Sequence, residues 1–143
     1  MSAIAHKTTH HPGQADATVS LTYDARLLRR KRLTTDAGEH FLVDLPKTTS
    51  VNAGEAFLLE DGREVHVRAA DEPLMRVTGD VVRLAWHIGN RHAPCAISSD
   101  GLLVQREKVM RTMLEQLGAT VTDFDGPFTP EGGASGHGRT LGQ

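Results

Sequence analysis

Disulfide chemistry is excluded first: the 143 residues contain one cysteine, Cys95, so no intrachain bridge forms and the chain reads as a protein of a reducing compartment. Aromatic residues are scarce, with one Trp, one Tyr and four Phe, which leaves the core to aliphatic side chains and makes oligomerisation a natural support for it. Charge of one sign is lacking too. The 16 Lys and Arg against 18 Asp and Glu leave a net charge of −2, too near balance to draw in nucleic acid or an anionic membrane. No apolar run approaches the about 18 residues of a membrane span, and MSAIAHKTTHHPGQADATVS lacks the apolar centre of a signal peptide. The expectation is a cytoplasmic protein with neither a nucleic-acid nor a membrane partner. Catalytic signatures are equally missing: there is no Gly-rich phosphate loop, no GxSxG and no HExxH. The one adjacent acid pair at an expected turn, Glu60 and Asp61, reads as solvated.

Histidine, by contrast, is present eight times. The first 18 residues are polar and aperiodic, with Pro12 and Gly13, and read as a disordered leader carrying His6, His10 and His11. Those histidines either hold a divalent ion weakly or do nothing. Over 19–71 the texture is that of a small all-β unit. HFLVDLP alternates Phe41, Val43 and Leu45 with polar-side positions, and FLLEDGREVHV turns at Asp61 and Gly62. His40 and His66 fall on the outward side of their strands. The basic run RLLRRKRL, residues 26–33, has only Tyr23 near it for stacking, so it reads as a solvated strand face or a protein-docking edge.

From 72 to 128 helices alternate with strands. LMRVTG is a strand, and Asp80 caps a helix over VVRLAWHIGNRH that Pro94 ends. CAIS and LLVQ flank a turn at Ser99, Asp100 and Gly101. REKVMRTMLEQLG places Val109, Met110, Met113, Leu114 and Leu117 on one helical face before Gly118, and ATVTDF is a last strand. The fold class expected is α+β, two domains, the second on the ferredoxin-like β-α-β-β-α-β plan. Residues 129–143, rich in Gly, read as a flexible tail with one histidine, His137.

The densest stretch is WHIGNRHAPC, residues 86–95. On one helix Val81, Ala85 and Ile88 form an apolar stripe that His92 extends, whereas His87 lies five positions earlier, about 140° away round the axis. The two imidazoles therefore do not chelate one ion on an intact helix. The residues alone leave His92 open between an imidazole capping the helix end and a metal ligand. His87 and Trp86 read as packing residues, and Cys95 as a small buried hydrophobe. A metal-dependent hydrolase would need an open-site metal and a base, and neither pattern appears.

AWHIGNRHAPCAI resembles the HLGNRH-P signature of the UreE urease accessory protein family, the nickel metallochaperones of urease maturation. RRKRLTTDAGEHFLVDLPKTTSVNAGEAFLLEDGREVHVRAADEPLMRV resembles that family's β-rich first domain, and VMRTMLEQLGATVTDFDGPFTPEGGA its second helix, last strand and tail. The resemblance implies a homodimer of two-domain chains: a β domain that binds peptide segments, then a ferredoxin-like metal-binding domain. It implies that His92 from each subunit meets at the two-fold axis as the principal nickel ligand, that His87 is structural, and that tail histidines complete the site, here His137 alone. A two-fold axis fits a chain with one ligand, because it supplies two imidazoles without further sequence. Imidazole serves Ni2+, Zn2+ and Cu2+, so the ligand type does not select the metal, and since the imidazole must be neutral, binding should weaken in acid. The peripheral histidine pair that some relatives carry near the start of the second helix has no counterpart in Gln105–Lys108. The partners implied are the urease-maturation GTPase UreG and the urease apoprotein with its accessory proteins. The alternative function is a peptide-binding assembly module without a metal site.

Overall fold

The computed structural model describes residues 3–132, and the chain divides into two units, Met1–Ala70 and Asp71–Gln143. Among the described residues no helix is long and apolar enough to cross a membrane.

The first unit is a six-stranded sheet of β1 (Ala3–Thr9), β2 (Ala17–Leu21), β3 (Leu27–Thr34), β4 (His40–Ser50), β5 (Ala56–Leu59) and β6 (Glu64–Ala69), with a single 3-10 turn at Asp24–Arg26. Their order is β2-β6-β5-β1-β4-β3. β1 runs parallel to β4 and β2 parallel to β6; the other neighbours are antiparallel. The alternation read in HFLVDLP buries Phe41, Val43 and Leu45, and Phe41 meets Phe57 with ring centroids 5.9 Å apart. Gly62 takes φ 91° in the turn between β5 and β6, a backbone conformation that glycine adopts without a Cβ clash.

The disordered leader expected over 1–18 is corrected here. Residues 3–9 form β1 in the interior of the sheet, and Ala5, wholly buried, pairs with Val43 on one side and Leu59 on the other. AIAHKTT hides this because its inward side chains are alanines, and its partners lie dozens of residues away, where no local period reports them. The basic run forms β3, an edge strand with Arg29, Arg30, Lys31 and Arg32 exposed; Arg30 bonds Asp44 at 2.8 Å.

The second unit contains β7 (Asp71–Thr78), α1 (Val81–Asn90), β8 (Ala96–Ser98), β9 (Gly101–Gln105), α2 (Lys108–Gln116) and β10 (Thr120–Pro127). The sheet order β10-β7-β9-β8, antiparallel throughout, is the ferredoxin-like arrangement. Met75, Val77, Leu102 and Val104 on the sheet pack with Leu84, Ile88, Met110 and Leu114 on the helices. A Cβ on Gly101 would lie 2.4 Å from the Val77 carbonyl oxygen, so the β8–β9 turn admits glycine alone. Pro73 lies within β7, just before the pairing with β9 begins at Leu74. The helical faces are narrower than the stripes suggested. α1 buries Leu84 and Ile88 while Val81 is exposed, and α2 buries Met110 and Leu114 while Val109 and Leu117 face solvent.

Ala5→Asp should destabilise the first unit by about 3 kcal/mol or more, because the carboxylate has no water and no cation inside the sheet. A urea melt followed by far-UV circular dichroism reads this; an unchanged midpoint would restore the disordered leader.

Candidate metal centre

Asp80 starts α1 by accepting a hydrogen bond from the Arg83 amide at 3.3 Å. The helix runs to Asn90 and Arg91 caps it. Two bonds then close the end: the His92 amide donates to the Gly89 carbonyl at 2.9 Å and the Ala93 amide to the Ile88 carbonyl at 3.3 Å. That pair of bonds is a Schellman stop, with His92 at the position that normally takes a left-handed backbone. His92 has φ 60°, and among the described residues it is the one non-glycine with positive φ. Pro94 reinforces the stop, since the residue before a proline is driven out of the helical region.

The expectation that His92 closes the apolar stripe of a helix over 80–92 is therefore corrected. His92 stands off the helix, exposed, in the loop leading to β8. His87 remains on α1, half-buried, lining a small depression with Asp80, Arg83, Leu84 and Leu117. The structure thus keeps the two histidines of the motif in different surroundings. Trp86 is also corrected: it is 63% exposed, in edge contact with the His87 ring at 5.0 Å, and no packing residue of this chain's own core. Val82, four residues earlier on the same flank, is 79% exposed. On edge strand β8, Ile97 pairs with the buried Leu102 and so shares the helix-covered face, yet it is 64% exposed. Val82 and Trp86 on α1 and Ile97 on β8 are thus large apolar side chains that the second unit leaves exposed.

Cys95 is half-buried against the core of the second unit, as a small hydrophobe would be. Burial, and then the negative charge of Glu131, push its thiol up to about 11. Its carbonyl accepts a hydrogen bond from the Glu131 amide at 2.8 Å, which ties the chain just ahead of residue 133 to the loop that carries His92. His137 lies outside the described residues.

The remaining described histidines belong to the first unit; four of them engage a partner through the ring, and His11 is exposed, its backbone amide donating to the Thr9 hydroxyl at 3.1 Å. His6 contacts the Asp44 carbonyl at 2.9 Å and Glu60 at 3.2 Å; His10 contacts Glu55; His66 contacts Glu64 at 3.2 Å; His40 contacts the Thr34 hydroxyl at 2.9 Å. Among the described residues no group of three or more His, Cys, Asp or Glu side chains is arranged to hold a metal ion. His92, the second histidine of the motif, is exposed and stands off the helix that carries the first. The left-handed turn at His92 went unread in the sequence, although Pro94 two residues on was a usable signal that the helix must stop by then.

Comparison with known proteins follows from this geometry. The sequence model of the UreE urease accessory protein, N-terminal domain, matches residues 2–70, and that of the C-terminal domain matches residues 66–143. A urease accessory protein UreE of Ruegeria pomeroyi is 58% identical over 137 residues, covering 95% of this chain and 92% of that protein. One of Cereibacter sphaeroides is 58% identical over 130 residues, covering 91% and 71%. One of Rhodobacter capsulatus is 55% identical over 130 residues, covering 91% and 83%.

Alkylation of Cys95 by iodoacetamide should stay slow at pH 8 and keep rising to about pH 11, whereas an unhindered thiol levels off near about 8.5. A plateau near the ordinary value would show the thiol to be neither buried nor facing Glu131.

Proposed function

Because the chain belongs to the UreE urease accessory protein family, whose members are accessory chaperones of urease maturation and not enzymes, we propose that it is a nickel-binding metallochaperone that donates the ion during assembly of the urease metallocentre. The observation that carries this reading is His92, the second histidine of HIGNRH, turned off its helix and exposed. One imidazole holds nickel poorly. A homodimer joined at the α1 flank and the β8 edge would set two His92 side chains across a two-fold axis. The exposed Val82, Trp86 and Ile97 support such a contact, since a second copy would remove them from water at about 25 cal/mol per Å² of apolar area.

His137 is a proposed additional ligand. The Glu131–Cys95 hydrogen bond starts the tail beside the His92 loop. Six further residues span at most about 20 Å when fully extended, enough to bring His137 to the same ion. Nickel is cargo here, and the chemistry is ligand exchange. Few imidazoles, one of them on a tail, hold the ion loosely enough that a partner offering more ligands removes it. The partners in this reading are the urease-maturation GTPase UreG and the urease apoprotein complex, in the cytoplasm. Imidazole accepts Zn2+ and Cu2+ as well, so selection of nickel falls to geometry at the dimer axis and to the partners.

Calorimetric titration of nickel into wild type, His92→Ala and a chain truncated after Ala134 tests the assignment. His92→Ala should lose the site, and the truncation should weaken it by about tenfold or more, in line with the loss of one ligand. Unchanged affinity in His92→Ala would overturn the metallochaperone reading. Trp86→Asp should lower the solution mass from dimer towards monomer by multi-angle light scattering and weaken nickel binding with it; an unchanged mass would move the dimer contact elsewhere.

A further inference from the structure

The two helices of the second unit end in the same way, with different residues at the decisive position. At the end of α2 the Gly118 amide donates to the Glu115 carbonyl at 3.0 Å and the Ala119 amide to the Leu114 carbonyl at 3.0 Å. At the end of α1 the equivalent bonds run from His92 to Gly89 and from Ala93 to Ile88. The left-handed residue is Gly118 with φ 89° in one and His92 with φ 60° in the other. Glycine fills this place at no steric cost, whereas a residue with a Cβ crowds the neighbouring carbonyl there. Nothing in the fold requires a side chain at 92: the residue is exposed, and both stop bonds are made by backbone atoms. A backbone conformation disfavoured for the residue that adopts it, at an exposed position, is the mark of a functional constraint.

We infer that the left-handed stop is the device that aims the His92 imidazole, and that histidine is retained there in place of glycine at a cost in stability. The direction follows from the backbone. In the helical conformation a side chain leans back along the helix towards its N-terminus, so an imidazole at 91 or 92 of a continuing helix would lie over the preceding turn. Left-handed geometry turns the Cα–Cβ bond off that surface. Pro94 is the positioning residue in this scheme, because it keeps Ala93 out of helical geometry and so prevents α1 from running on through His92. The inference rests on His92 being a nickel ligand, but its structural half does not.

The experiment uses the full chain and four variants, each melted in metal-free buffer and titrated with NiCl2. His92→Gly should melt a few degrees above His92→Ala, since both lack the imidazole and differ in the left-handed penalty; equal or lower stability of the glycine variant would overturn the device. Arg91→His combined with His92→Gly keeps the imidazole count and moves the ring one residue back. It should bind nickel no better than His92→Gly, and recovery of wild-type affinity would show that aim is irrelevant. Pro94→Ala should weaken nickel binding several-fold with a smaller change in melting than His92→Gly produces; wild-type affinity would remove Pro94 from the scheme. If His92→Ala itself binds nickel like wild type, the ligand assignment fails, and the melting comparison still decides the backbone claim.

Discussion

The amide hydrogens of His92 and Ala93 close the carbonyls of Gly89 and Ile88, and the metal-binding account depends on that pair of bonds. They satisfy two of the carbonyls that any helix leaves open at its C-terminus. In doing so they force a left-handed residue immediately after the cap. Had α1 continued, the apolar stripe would have carried residue 92 along the helix surface and Pro94 would have clashed within the next turn. Ending the helix instead delivers the imidazole to the surface, in the loop that leads to the short edge strand β8 and that Glu131 bonds at Cys95.

The surroundings suit an ion that must leave again. A structural metal site is closed, with its full set of ligands supplied by one rigid frame. Here the described residues of one chain supply no such cluster, and His6, His10, His40 and His66 of the first unit are engaged with their own carboxylate, carbonyl and hydroxyl partners. In the proposed reading, completion by a second copy and by the tail would make retention depend on two contacts that are each reversible. Burial, and then the charge of Glu131, push the Cys95 thiol up to about 11, so it is a neutral thiol near pH 7.

Much of this was legible before any coordinates. The second unit announced itself because its elements are short-range: each helix has its own period, its own cap at Asp80 or Gly118, and a turn at Ser99–Gly101. The alternation of Phe41, Val43 and Leu45 gave β4 for the same reason. β1 stayed hidden because its evidence is long-range; Ala5 matters through Val43 and Leu59, and an alanine carries little signal of its own. Val81 and Val109 were misplaced because a helical stripe shows where apolar residues align and not how wide a face the neighbouring layer covers. The excess of apolar surface on α1 over what its own core needs became visible only in three dimensions.

Native mass spectrometry of the nickel-loaded protein tests the central claim most directly, because it reads stoichiometry and oligomeric state in one spectrum. The expected result is one nickel on a dimer and none on any monomer, with the metal lost from the dimer of His92→Ala. Nickel retained by monomers, or by the His92→Ala dimer at the wild-type ratio, would contradict it.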